Sequence, residues 1–209
     1  MKVLMLNGSP REKGCTYTAL SEIATELEKH GIESEIFFTG KEPLATCKGC
    51  GFCRKQEQPR CVFDDAVNKI IERLDEYDAL IIGSPVHYAG PSAQIVAFCD
   101  RLFFSSGSKL AFKPGAAIVS ARRAGTTAAL DRLNKYFNYN QMPVVSSHYW
   151  NMVHGYEPDD VKRDEEGMQT MRVLAQNMAW LLQSIDAGRK AGISTPVLEE
   201  KKIRTNYIR

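Results

Sequence analysis

Residues 2–16 read Lys-Val-Leu-Met-Leu-Asn-Gly-Ser-Pro-Arg-Glu-Lys-Gly-Cys-Thr. Lys2–Leu6 is a short apolar run, and Asn7-Gly8-Ser9-Pro10 ends it with a strong turn signal. Beyond the turn, Leu20, Ile23, Ala24 and Leu27 recur at i, i+3, i+4 and i+7, one face of an amphipathic helix. Strand, polar loop and helix in that order make the first unit of an α/β domain.

The alternation continues outward. Glu33–Thr39 reads as a second strand. Val67, Ile70, Ile71 and Leu74 mark a second helix, opened by Asp64 and Asp65 at its positive end. Ala79–Ser84 is a continuous apolar run, as expected of a buried parallel strand. Ile95, Phe98, Cys99 and Leu102 stripe a third helix, Gly115–Ala121 is a fourth strand, and Leu130, Leu133 and Phe137 mark a fourth helix. Pro143–Ser147 begins a fifth strand, and Met171, Leu174, Ala175, Met178 and Leu182 mark a fifth helix. Five strands alternating with helices predict a parallel sheet covered on both faces. Ligands of such sheets bind at the carboxyl ends of the strands, which singles out loops 7–16, 84–91, 121–127 and 147–156.

The 209 residues are 44% hydrophobic and 25% charged, enough for a sizeable core. One domain is expected over residues 1–187, with residues 188–209 as an extension laid across a partner subunit. The net charge of +2 gives no nucleic-acid footprint. Lys201, Lys202, Arg204 and Arg209 read as a solvated basic tail. With no leader and no apolar stretch of membrane length in view, a cytoplasmic protein that does not engage membranes is expected.

The loop Gly8–Thr16 is the first candidate site. Backbone N–H groups at a helix start favour an anion, Ser9 and Thr16 add hydroxyls, and Arg11 adds charge. Gly14 and Cys15 lead into the helix. Neither a Walker A pattern nor Gly-x-Gly-x-x-Gly is present, so a terminal monophosphate suits the loop better than a dinucleotide.

Cys47, Cys50, Cys53 and Cys61, spaced C-x2-C-x2-C-x7-C within the loop 44–63 that follows the second strand, are the second. Four thiolates on such a run can hold a [4Fe–4S] cluster. Four thiolates also suit zinc, although zinc modules usually present two separated pairs. Free or disulfide-bonded thiols are the third reading. Cys99, on an apolar helix stripe, reads as a small buried hydrophobe.

The phosphate loop, Gly8-Ser9-Pro10-Arg11 with Gly14-Cys15-Thr16, resembles that of the flavodoxin-like NAD(P)H-dependent FMN reductases, which usually carry Asn where Cys15 stands. Ser84-Pro85-Val86-His87-Tyr88-Ala89-Gly90 and the later Asp100-Arg101 are similar to two further motifs of that family. The resemblance implies a three-layer α/β/α sandwich with five parallel strands in the order 2-1-3-4-5. It implies an FMN site built from Ser9, Arg11, Gly14, Cys15 and Thr16, then Pro85, Val86, His87, Tyr88 and Gly90, then Ser120, Arg122, Arg123 and Gly125. The flavin carries the chemistry. His87 and Arg122 are the candidate catalytic side chains, with a solvent-facing His and a salt-bridged surface Arg as the alternatives. His148, Tyr149, Trp150, Asn151 and His154 are candidates for a substrate lip or a dimer contact.

The cysteine segment, with Asp64-Asp65 after it and Gly167-Met168-Gln169-Thr170 late in the chain, most resembles the iron–sulfur flavoprotein branch of the same fold. That resemblance covers about residues 1–182. It implies electron transfer from NAD(P)H or a ferredoxin-like donor to a quinone, another small acceptor or oxygen, in a homodimer or homotetramer. A non-catalytic electron carrier and a redox-sensing binding protein are the rival readings. A hydrolase is disfavoured, since no Gly-x-Ser-x-Gly elbow occurs.

Overall fold

The computed structural model describes residues 1–197, 199, 200, 203 and 205–207. Lys201, Lys202, Arg204 and Arg209 of the basic tail lie outside the described residues. The chain runs β1 (Lys2–Asn7), α1 (Cys15–Lys29), β2 (Glu33–Phe38), α2 (Ala66–Ile71), β3 (Ala79–His87), β4 (Gly90–Pro91), α3 (Ala93–Leu110), β5 (Gly115–Ala121), α4 (Thr126–Tyr139), β6 (Met152–His154), α5 (Pro158–Arg163) and α6 (Glu165–Lys190). The sheet order is β2-β1-β3-β5-β6, all parallel, with β4 turning back antiparallel on β3. With that two-residue arm set aside, the order is the 2-1-3-4-5 expected.

Pleating explains why both faces are covered. Val3, Met5, Ala79, Ile81, Ala116 and Ile118 point to one side and pack with residues of α1 and α6. Leu4, Leu6, Leu80, Ile82, Ala117 and Val119 point to the other and pack with α2, α3 and α4. β5 is buried along its whole length, whereas edge strand β2 is only half-buried. Side-chain caps start three helices: Asp65 accepts from Val67 N in α2, Ser92 from Ile95 N in α3, and Asp164 from Gly167 N in α6. Gly167 is the tightest of these starts, since an added Cβ would stand 2.2 Å from Asp164 Oδ2. The Gly167–Thr170 motif thus marks the first turn of α6, and that helix runs past residue 187 to Lys190.

The fifth parallel strand is not where the apolar run Pro143–Ser147 predicts it. Only Val144 of that run bridges β5, opposite Gly115; Gly115 N donates to Pro143 O at 2.9 Å and Val145 N to Gly115 O at 2.8 Å. The chain then swings away and returns as Met152–His154, paired with Val119–Ala121. Buried Asn151 spans the detour: Nδ2 donates to Ala117 O at 3.1 Å, and its carbonyl accepts from Val119 N at 3.0 Å. One side-chain donor replaces a ladder bond there, so the edge needs no unbroken apolar run. Among the described residues, no helix is long and apolar enough to cross a membrane.

Candidate functional site

Three strand tips meet at the carboxyl rim of the sheet. The β1–α1 loop is tied down first. Gly8 N donates to Gly83 O at 2.9 Å, and Ser92 Oγ donates to Gly8 O at 2.6 Å. A Cβ on Gly8 would lie 2.4 Å from Ile95 Cβ, so only glycine lets the loop pass α3 this closely. Fully buried Asn7 shapes the rest: Nδ2 donates to Glu12 O at 2.8 Å, and Oδ1 accepts from Ser9 N at 3.2 Å. Ser9 Oγ accepts from Arg11 N at 3.0 Å, leaving its hydroxyl proton free to point elsewhere.

α1 then begins at Gly14 with no side-chain cap, and its first turn carries no acidic residue. Its N–H groups therefore face the loop's concavity without a competing anion. Thr16 and Ser120, both buried, share a 2.8 Å hydroxyl–hydroxyl hydrogen bond that joins this loop to β5. Cys15 Sγ donates to Gly155 O at 3.8 Å, and burial raises its thiol above the ordinary value, which makes it a packing group rather than a thiolate.

The result is a cleft of about 320 Å³. Ser9, Pro10, Arg11, Cys15 and Thr16 line it from the first loop; Pro85, Val86 and His87 from β3; Ser120, Ala121 and Arg122 from β5; Gly155 and Tyr156 from beyond β6. A wider groove of about 580 Å³ between the end of α1 and the start of β2 lies at the opposite rim, away from these loops. Arg11, Arg122 and Arg123 are exposed, and among the described residues none pairs with a carboxylate.

Gly14, Tyr88, Gly90, Arg123 and Gly125 stand outside the cleft lining. Tyr88 and Ala89 form the two-residue turn between β3 and β4, with φ of 49° and 58°. Tyr88 is fully exposed at the tip. Gly90 is not crowded, for a Cβ there would meet only His87 O at 3.6 Å. Gly125 is the constrained glycine: its φ is +98°, and a Cβ would stand 2.9 Å from Ala89 Cα. It seats the β3–β4 turn against the start of α4. His148, Tyr149, Trp150, Asn151 and His154 do not line the cleft; Tyr149 and Trp150 are exposed and meet edge to face at 4.8 Å. Gly155 and Tyr156 take that place. Sequence reasoning passed over both, although they sit at the end of a loop the strand-tip rule singles out.

The cysteine segment forms a second locus. Gln94 of α3 holds its entrance, accepting from Leu44 N at 3.4 Å and donating to Glu42 O at 2.9 Å. Asn68 of α2 holds its exit: Oδ1 accepts from Cys61 N at 2.8 Å, and Nδ2 donates to Cys61 O at 3.1 Å and Phe63 O at 2.9 Å. Buried Arg101 closes the two ends together. Its guanidinium engages Asp65 bidentately at 2.7 and 2.8 Å, and donates to Ala45 O, Phe63 O and Cys61 Sγ, each at 3.2 Å.

Cys47, Cys50, Cys53 and Cys61 are free thiols that line one small cavity with Arg101, Phe63 and Phe104. Burial raises the Cys53 thiol, and Cys61, Cys47 and Cys50 push it the same way. Gly49 and Gly51 both have positive φ, 66° and 67°, which turns the chain between successive cysteines. Among the described residues, no group of three or more His, Cys, Asp or Glu side chains is positioned to hold a metal ion as it stands. Cys99 is fully buried, and burial raises its thiol strongly.

A family model described as NADPH-dependent FMN reductase matches residues 1–157. An iron–sulfur flavoprotein of Methanocaldococcus jannaschii is 32% identical over 193 residues, covering 88% of this chain and 99% of its own length. One from Methanosarcina thermophila is 31% identical over 196 residues, covering 90% of this chain and 99% of its own. Among solved structures, RosB with bound 8-demethyl-8-formylriboflavin-5'-phosphate has a TM-score of 0.68 at 16% identity, over 100% of this chain and 94% of RosB. A flavodoxin from the domain Archaea has a TM-score of 0.59 at 15% identity, over 88% of this chain and 99% of its own. These two structures speak for the fold, which is flavodoxin-like. The family model and the two archaeal relatives speak for descent: this chain belongs to the NADPH-dependent FMN reductase family.

Proposed function

We propose that this chain binds FMN in the strand-tip cleft and acts as an oxidoreductase, passing electrons from NAD(P)H or a reduced iron–sulfur donor to a quinone, another small acceptor or oxygen. The observation that carries this reading is the phosphate corner, where an uncapped helix start, the Ser9 and Thr16 hydroxyls and Arg11 converge at the rim of a parallel sheet. The family match and the relatives' names support it. When bound, FMN supplies the redox chemistry, converting between one- and two-electron transfer.

The chain's own groups then bind and orient. The first-turn N–H groups of α1 and the two hydroxyls receive a terminal phosphate, and Arg11 adds charge at the same corner. Pro85, Val86 and Tyr156 offer flat apolar walls. Arg122, which lines the cleft and lacks a carboxylate partner among the described residues, favours negative charge there. His87 stands at that mouth, at the end of β3.

The reading extends to a [4Fe–4S] cluster on Cys47, Cys50, Cys53 and Cys61, which would supply single electrons. The donor set suits it: four unpaired thiols share one cavity beside a buried guanidinium, and the left-handed glycines 49 and 51 let successive N–H groups converge as they do around anionic centres. A zinc centre suits the donor set less well, since zinc modules usually present two separated cysteine pairs and this segment has a three-cysteine stride. Cys47 and Cys50 are exposed, and the glycines beside them have open space around them, so both can move inward when a larger group binds.

Visible spectroscopy with iron and sulfide analysis on anaerobically purified protein tests both parts. Bound flavin absorbance with about four irons per chain is expected. A yellow, iron-free protein removes the cluster, and a colourless one that refuses added FMN removes the whole reading. Steady turnover of NAD(P)H with a small acceptor separates an enzyme from an electron carrier.

A further inference from the structure

We propose that Arg101 is a positioning residue for the cysteine site: it holds Cys61 as the fixed ligand and, through its N–H···S hydrogen bond, raises the reduction potential of a cluster bound there. The potential part rests on the cluster reading above. Arg101 is a charged side chain sealed from solvent, and all five of its N–H donors are used. Four of them go to Asp65 and to two backbone carbonyls. The fifth, Nε–H, points at Cys61 Sγ at 3.2 Å.

Cys61 is also gripped through its backbone by Asn68, so its sulfur is set by two elements, α3 and α2. Cys47 and Cys50, by contrast, are exposed. The site thus has one fixed sulfur and a three-cysteine arm. A hydrogen bond to a ligand sulfur withdraws electron density and stabilises the more negative, reduced form of the centre it binds. Asp65 opposes this, since its carboxylate offsets the guanidinium charge beside the same sulfur.

That opposition yields the test. In full-length, anaerobically purified protein, Arg101→Lys removes the directed Nε–H bond while keeping a cation, and Asp65→Asn removes the counter-charge while keeping the helix cap. Redox titration of the cluster followed by electron paramagnetic resonance should find the potential lower than wild type in R101K and higher in D65N. A lock that is merely structural would loosen in both variants and move both potentials the same way or neither, which overturns the proposal. If R101K does not fold, D65N decides alone: an upward shift supports the proposal, and no shift or a downward one overturns it.

If wild-type protein binds no iron, the cluster reading falls, and the claim about potential with it. The positioning of Cys61 is then read by amide hydrogen exchange in the metal-free protein. Faster exchange confined to residues 45–65 in R101K supports it, and unchanged exchange overturns it.

Discussion

Replacing Glu35 with glutamine should cost stability in a way that depends on pH. Glu35 lies on edge strand β2, opposite Leu4. Its carboxylate accepts from Arg73 at 2.9 and 2.8 Å and from Tyr77 Oη at 2.9 Å, and it pairs with Lys2 Nζ at 2.9 Å. Chiefly through the Arg73 hydrogen bonds, and against the penalty of burial, its carboxyl is pushed down to about 2 from an ordinary 4.5. The full displacement is worth about 3 kcal/mol. The side chain keeps 27% exposure, so solvent screening reduces the expected loss to about 2 kcal/mol.

The sign follows from a folded-state value lying below the unfolded one. The stabilisation is complete above about 4.5 and disappears as pH falls toward about 2. Urea denaturation followed by circular dichroism should place E35Q about 2 kcal/mol below wild type at pH 7, with the gap narrowing below pH 4.5 and closing near pH 2. Taking the difference between the two proteins cancels the other carboxylates. A gap that stays constant between pH 7 and pH 3, or no gap at pH 7, would refute the account.

Gly125→Ala should weaken FMN binding about tenfold with a loss of about 1–2 kcal/mol in stability, since Cβ is disfavoured at this φ and meets the β3–β4 turn; fluorescence titration and urea midpoints check both. Thr16→Val strands the buried Ser120 hydroxyl and should cost about 1–3 kcal/mol together with flavin affinity. Thr16→Ser keeps the hydroxyl and should restore most of each, and a Val variant that binds FMN as wild type does would remove Thr16 from the site.

The strand–loop–helix unit at residues 2–27 and the buried runs of β3 and β5 were legible in the amino-acid sequence because apolar periodicity is local: a few neighbouring residues carry it. The cysteine spacing and the polar loop before α1 were legible for the same reason. What pairs across the chain was not. The edge strand lies at 152–154 rather than 143–147, with the Asn151 side chain standing in for one ladder bond to β5, and no spacing rule announces a side chain in that role. Arg101 read only as half of a motif, yet it ties Ala45, Cys61, Phe63 and Asp65 together from a helix 36 or more residues away. Tyr156 reaches the cleft because the chain beyond β6 bonds back to Ala121 through Gly155 N. Local pattern therefore settled which segments are strands, helices and ligand-bearing loops. Which side chains face one another across those loops was decided by packing, since burial forces each polar group to find a partner wherever the fold brings one.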